Sequence, residues 1–243
     1  MLDATLKKRA VAIISAHNAN STIVAISSEA GQEGLLKGMK VSLARKMSRC
    51  TRLLPYNSSL YSRMHNYLYE AVSTFSPLVE PTVFGQFYMD MSGMSGIYKS
   101  DLRAGDIISK RIDELVHLEN HIGISSNKLV SRITTSVVPE RIYKIDSGEE
   151  SHFLAPLHSR LLPTSALPSV ERMLRFLFLR QVQDVQSVMA RESAAQAIFS
   201  RYYKPLAMEA RGMDTSAVQP PKKREHIIQQ MVLRTSMVWV FFR

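Results

Sequence analysis

Between residues 10 and 145 the chain alternates short β-branched runs with helical stretches, and this alternation limits its fold more than any other feature. "AVAIIS" (10–15) and "TIVAIS" (22–27) have strand length and are joined by the turn-rich "AHNANS", which predicts a hairpin. From Ser28 onward Gly31, Gly34 and Gly38 divide the sequence into short helical pieces. Residues 57–75 carry the clearest helical pattern. Asn57 stands at the capping position, and Leu60, Met64, Tyr67, Leu68, Ala71, Val72 and Phe75 recur at helical spacing as a core stripe. Pro77 ends it, and "LVEPTVF" and "QFYMDM" follow as strands. A helix capped by Ser100 carries Ile107, Ile108, Ile112, Leu115 and Val116; then come a strand ("HIGISS"), a helix from Asn127 to about Ser136, and a strand ("RIYKI"). Strands and helices taken in turn predict an α/β or split βαβ sheet layer.

Beyond "EESHFLAPLHSRLLP" the pattern turns helical. "SVERMLRFLFL" places Val170, Met173, Leu174 and Leu177 on one face; helices near 182–190 and 192–211 follow, with Gly212 as the residue just past the last one. "TSAVQPPKKREH" reads as a linker stiffened by Pro220-Pro221, and "IIQQMVLRTSMVWVFFR" as one or two strands.

At 243 residues the chain has room for two or three small domains. Its 31 Lys+Arg against 21 Asp+Glu give a formal charge of +10, which favours a polyanionic partner. A membrane is excluded as that partner on length, since "MVWVFF" falls far short of the about 20 residues a span needs. "MLDATLKKRAVAII" has no cleavage site and runs on into strand-like sequence, so a cytoplasmic chain is expected. Cys50 is the only cysteine, which rules out an internal disulfide and a thiolate metal site; between Arg49 and Thr51 it reads as a small buried hydrophobe. The seven histidines are scattered without metal-ligand spacing, no P-loop or G-x-S-x-G occurs, and "GLLKGMK" reads as a strained turn. "FGQFYMDMSG" (84–93) reads as a buried strand running into a turn, with Asp90 its one carboxylate, beside Gly85 and Gln86.

Five segments, in order, resemble the Y-family translesion DNA polymerases. "VAISSEAGQEGLLKGMKVSLARKMSRC" is similar to that family's strand leading to Glu-Ala and a Gly-Met turn, and "FSPLVEPTVFGQFYMDMSGM" to its second palm strand. "IGISSNKLVSRIT" resembles its Asn-Lys helix, "FLAPL…LLP" its entry to the thumb, and "FLRQVQDV" with "EARGMD…AVQPPKKREH" its thumb helices and tether. The resemblance implies an α+β fold: Y-family polymerase-like palm and fingers, with a split βαβ, ferredoxin-like sheet and helices. A small all-α thumb and the start of a little finger then follow. The implied boundaries are palm over 1–27 and 76–155, and fingers with a return helix to the palm over 28–75. The α-helical thumb occupies 156–216, a basic tether 217–225, and a truncated little finger 226–243.

The resemblance also implies losses. Family members bind two Mg²⁺ ions through an acid on a first palm strand, expected to lie before this chain begins, and through an Asp-Glu pair that falls here on Gly85 and Gln86. Neither can offer an anionic oxygen, and Asp90 takes the place of the family's later, structural Asp. The nucleotide-binding positions are similarly degenerate: Ser28 and Gly31 replace a Tyr and an Arg, Val138 replaces a Lys, and Arg132 alone keeps a charge. No metal or other cofactor is therefore expected, Mg²⁺ belonging only to an active polymerase. Thr164, Ser165, Ala166 and Leu167 stand where a phosphate-binding Gly-x-Gly hairpin would be. Positive charge gathers instead at Arg172, Arg175, Arg180, Arg201, Lys204, Arg211, Lys222, Lys223 and Arg224, the positions expected to hold DNA backbone.

This pattern resembles the ImuB-type branch, which lacks catalytic acids and serves damage-induced mutagenesis in the bacterial cytoplasm, at the nucleoid. Its implied partners are DNA, a sliding clamp and an error-prone replicative-type polymerase; Gln230-Met231-Val232-Leu233 is the candidate clamp-binding peptide. Two other readings stay open: part of an active error-prone polymerase whose first catalytic strand is missing here, and a decayed fragment.

Overall fold

The computed structural model describes residues 4–6, 9–18, 20–117 and 119–221, and the backbone of 227–233 and 236–242. The chain divides into two compact units, Met1–His65 and Asn66–Arg243.

In the first unit, β1 (Val11–Ile14) pairs antiparallel with β2 (Ile23–Ile26), as the hairpin pattern predicts, and parallel with β3 (Arg52–Pro55). Ala12, Ile14 and Ile23 are buried against α1 (Ser28–Gln32), Leu35 and α2 (Val41–Met47). The helical pieces stay short because Gly34 and Gly38, both at positive φ, end one turn and start the next. Cys50 departs from expectation and is exposed. In the turn before β3 the inward position belongs to Thr51, whose hydroxyl, with that of Ser48, donates to the Glu33 carboxylate. Those two hydroxyl donors hold the Glu33 carboxyl below its ordinary range.

α3 (Ser58–Val72) begins where Asn57 accepts the Leu60 N–H. Only Leu68 and Val72 of its expected stripe are buried; Leu60 and Tyr67 are exposed.

In the second unit, α3 is followed by a hairpin of β4 (Val79–Pro81) and β5 (Phe87–Met89). α4 (Ser95–Tyr98) leads to α5 (Asp101–Val116), capped by Ser100 through the Arg103 N–H. β6 (Ile122–Ile124), α6 (Lys128–Val137) and β7 (Ile142–Lys144) then form a βαβ unit whose strands pair in parallel. Residues 10–145 thus carry the expected alternation, although the described pairings fall into three small sheets. Leu129, Val130 and Ile133 of α6 share a core with α7 (Glu150–Leu154), α8 (Pro168–Phe176), α9 (Val182–Met189), α10 (Glu192–Phe199) and α11 (Tyr203–Ala210).

Two helices end earlier than their hydrophobic pattern predicts. α8 stops at Phe176, three residues short of Leu179, and the span 192–211 is broken at Ser200, which takes positive φ. Pro205 explains the second break: it has no N–H for an i−4 bond, so it is accommodated in the first turn of a new helix. β8 (Ile227–Leu233) and β9 (Ser236–Phe242) pair antiparallel, placing Gln230 opposite Trp239 and Leu233 opposite Ser236. The 230–233 segment is therefore part of a paired strand. Among the described residues no helix is long and apolar enough to cross a membrane.

Candidate functional site

The β4–β5 hairpin fixes the positions on which a metal site would depend. Gly85 and Gln86 do not continue a buried strand; they form the exposed hairpin turn, and regular β5 begins only at Phe87. The Thr82 N–H donates to the Gln86 carbonyl (3.0 Å) and the Gln86 N–H to the Val83 carbonyl (2.9 Å). Gly85 closes this turn at φ +75°, a conformation that favours glycine because a Cβ there crowds the following carbonyl. High β-propensity from Phe84 onward is overridden by the tightness of this turn.

Past the turn, the Asp90 carboxylate accepts the Ser92 N–H at 2.9 Å, while its backbone N–H donates to Leu78 and its carbonyl accepts the Ser76 hydroxyl. The Ser92 hydrogen bonds hold this carboxyl below its ordinary range. Its oxygens therefore serve the loop that ends the hairpin.

Helix α6 supplies the next group. Its first residue, Lys128, carries a cation at the positive end of a helix dipole, an unfavourable place unless a carboxylate answers it. Glu80 of β4 does so at 2.9 Å, with both side chains largely withdrawn from solvent (16% exposed for Lys128, 23% for Glu80). The ammonium also donates to the Ala217 carbonyl (2.9 Å) and lies 5.5 Å from the Tyr88 ring centroid. Glu80 in turn accepts the Gln219 N–H (2.8 Å), and Asn127 donates to the Gly212 carbonyl (2.8 Å). Burial raises the Glu80 pKa, but the Lys128 and Gln219 hydrogen bonds outweigh it, and the net shift is downward. The segment after α11 is thereby tied to α6 and β4.

Beside this tie lies a cavity of about 400 Å³, lined among others by Tyr88, Lys128, Arg132, Glu209 and Asp214. Arg132 reaches the Leu161 carbonyl only at 3.5 Å. Glu209 accepts both the N–H (2.9 Å) and the hydroxyl (2.7 Å) of Thr164. Burial still raises its pKa, those two donors opposing the shift only in part. Thr164 belongs to the turn expected to replace a Gly-x-Gly hairpin, and its N–H is already satisfied inside the chain. Ser165 donates its hydroxyl inward to the Ser159 and Leu162 carbonyls.

The remaining positions are dispersed. Ser28 is the exposed first residue of α1, and Gly31, in the same helix, is exposed as well. Val138 ends α6. Arg172 and Arg175 lie exposed on α8; Arg172 Nε donates to its own helix at the Pro168 carbonyl. Arg211 caps α11 and is exposed. Lys222, Lys223 and Arg224 lie outside the described residues.

Sequence reasoning missed the Glu80–Lys128 pair, although a lysine immediately after a capping asparagine signals a need for a carboxylate. It also missed the exposed pair Phe176 and Phe178, announced only by two aromatics amid the arginines of "RMLRFLFLR".

Comparison with known proteins now fixes the class. The model of the impB/mucB/samB family matches residues 1–136, more than half of the chain. The chain is 24% identical over 239 residues to a protein named DNA polymerase IV from Desulfatibacillum aliphaticivorans, covering 95% of this chain and 59% of that protein. A DNA polymerase IV from Opitutus terrae is 27% identical over 200 residues, with coverages of 81% and 50%. Among solved structures, a Y-family DNA polymerase chimera of Dbh and Dpo4 superimposes with a TM-score of 0.77 at 16% identity, covering 93% of this chain and 66% of that one. DinB from Sulfolobus solfataricus gives 0.70 at 17% identity, with coverages of 86% and 62%. The fold is thus the mixed α+β fold of Y-family polymerase structures, and the chain belongs to the impB/mucB/samB family. It spans between half and three-fifths of the length of these curated relatives.

The family implies Mg²⁺, and the donor set at the hairpin does not fit it. Mg²⁺ is held through carboxylate oxygens, whereas the turn offers Gly85 and the neutral Gln86, and nearby Asp90 is engaged by Ser92. Among the described residues no cluster of three or more His, Cys, Asp or Glu is placed to hold a metal ion.

Proposed function

We propose that this chain is a non-catalytic Y-family homologue of the ImuB-type branch that binds damaged or primer-template DNA as an accessory in SOS-type translesion mutagenesis. The observation that carries the reading is the hairpin turn, which holds Gly85 and Gln86 where the family resemblance places two metal-binding carboxylates. Phosphoryl transfer depends on positioning and on electrostatic stabilisation by metal ions, so a turn without anionic oxygens removes its main driving term. Ser28, Gly31 and Val138 extend the same loss to the triphosphate grip, leaving Arg132 as its remaining cation.

In this reading residues 1–27 and 76–155 act as palm, 28–75 as fingers and return helix, 156–216 as thumb, 217–225 as tether and 226–243 as the start of a little finger. Arg172, Arg175 and Arg211, with Lys222, Lys223 and Arg224 of the tether, hold DNA phosphates and give salt-dependent, sequence-independent affinity. A sliding clamp and an error-prone replicative-type polymerase are the protein partners. Binding of the chain to primer-template DNA should weaken steeply as salt rises, and primer extension should fail with Mg²⁺ and with Mn²⁺. Robust incorporation with either ion sinks the non-catalytic reading. Absence of salt-sensitive binding at low ionic strength leaves only the decayed fragment.

The names of the relatives favour a second reading, in which the chain is part of an active error-prone polymerase whose first metal-binding strand lies in a longer chain. Primer extension by a longer chain that includes that strand decides between the two: incorporation there supports the second reading, and its absence supports the non-catalytic one.

A further inference from the structure

The C-terminal end of α8 has a feature that the fold does not require. The helix closes in a Schellman turn: the Phe178 N–H bonds the Arg175 carbonyl (3.2 Å) and the Leu179 N–H bonds the Leu174 carbonyl (2.9 Å). The turn needs a left-handed residue at position 178, where glycine is the unstrained choice, yet Phe178 sits there at φ +57°. Its ring gives the core little in return, being 75% exposed, and neighbouring Phe176 is 83% exposed. Two large aromatic side chains two residues apart therefore face solvent, one of them against a backbone preference.

Along residues 160–185 four arginines outnumber two acids. Glu171 and Asp184 are the only acids between residues 160 and 185, and both are occupied. Glu171 pairs with Arg160 at 2.7 Å, and Asp184 accepts the N–H groups of Arg180 and Gln181. Arg172, Arg175 and Arg180 are left exposed, with no ion pair among the described residues. Arg172 and Phe176 are four residues apart on α8, so guanidinium and ring occupy one helix face. Beside them runs an open groove of about 560 Å³, lined by Ser169, Arg172, Met173, Phe176, Leu177 and Ile198.

We propose that this face binds single-stranded DNA, Phe176 and Phe178 serving as stacking platforms and Arg172, Arg175 and Arg180 following the phosphates. Both features are then used: a strand with unpaired bases presents flat apolar faces to the rings and a regular row of negative charge to the guanidiniums. A duplex satisfies only the charge, because its bases are already stacked on one another. The proposal rests on the DNA-binding reading above and assigns part of it a strand preference.

The test is fluorescence anisotropy on the full chain, with a 20-nucleotide oligo(dT) and a 20-base-pair duplex as separate probes over a salt series. Replacing Phe176→Ala together with Phe178→Gly should weaken oligo(dT) binding by roughly tenfold or more while duplex binding stays within about twofold. Arg172→Ala with Arg175→Ala should weaken both probes and flatten the salt dependence for oligo(dT) by about 0.7 per charge removed. Both phenylalanines are exposed, and an unchanged melting temperature or a small rise shows the double variant to be folded. Oligo(dT) affinity untouched by the phenylalanine replacements, or lost equally for both probes, overturns the proposal and leaves the groove to a protein partner. Duplex binding without oligo(dT) binding by the unaltered chain overturns it too, while sparing the DNA-binding reading. Binding of neither probe overturns both.

Discussion

Helices α8 and α11 end in the same hydrogen-bonded turn, and the two turns have opposite surroundings. After α11, Met213 N–H reaches back to the Met208 carbonyl and Gly212 N–H to Glu209, matching the pattern at Leu179 and Phe178 after α8. The left-handed residue is buried Gly212 in one case and exposed Phe178 in the other. A Cβ on Gly212 would stand 2.6 Å from the Glu150 Cβ, so glycine is required there twice over, by backbone angle and by space. The segment beyond α11 is tied down by Asn127, Lys128 and Glu80, whereas the turn after α8 projects its side chain into solvent. Identical backbone geometry serves packing in one place and display in the other. The difference lies in what the surrounding chain brings against the turn.

The largest effect should come from filling the crowded turn. Gly212→Ala combines a left-handed penalty of about 1–2 kcal/mol with a steric clash of similar size, for a loss of about 2–4 kcal/mol in urea unfolding. A loss below about 1 kcal/mol would mean that α7 and α11 can move apart without cost, and the contrast between the turns would disappear.

The tie after α11 should matter less, and it should depend on pH. Glu80→Gln leaves the Lys128 ammonium without its counter-charge and should cost about 1–2 kcal/mol near neutral pH. Because the folded-state pKa of Glu80 is lowered, the stability this carboxylate contributes is present above its ordinary value of 4.5. It is lost as pH falls through the lower folded value, so unfolding curves of the variant and the unaltered chain should converge in acid. A gap that stays constant well below the ordinary carboxylate range would remove the ion pair from the explanation.

How much of this could be read from the residues depends on the range of the cause. Asn57 and Ser100 were legible as caps, and Asn127 as a helix start, because each answers an N–H within three residues of itself. Gly212 was legible as a stop for the same reason. The stop of α8 was not, since no glycine or proline marks it; it follows from burying Leu174 and Leu179 together, which pulls Phe178 into a left-handed angle. The Glu80–Lys128 pair joins residues 48 positions apart: Lys128 after Asn127 signals a need for a carboxylate, but no local spacing says which one. Cys50 looked like an interior residue from its type alone, and the competition that Thr51 wins beside Glu33 is settled only by the fold.

The smallest expected effect is the most discriminating between the turns. Phe178→Gly relieves a left-handed strain of about 1–2 kcal/mol but restores about 0.4–1 kcal/mol of unfolded-chain entropy, for a net gain near 0.5–1 kcal/mol. For a chain of this size that is a rise in melting temperature of about 1–3 °C, resolvable by calorimetry. Gly212→Ala and Phe178→Gly should therefore move stability in opposite directions, although they exchange residues at equivalent positions of the same turn. A fall in stability for Phe178→Gly would show that the ring packs against something in solution and that its exposure does not describe the folded chain. A rise, with oligo(dT) binding weakened in the same variant, separates the two roles cleanly: the ring costs the fold a little and contributes to contact with a single strand.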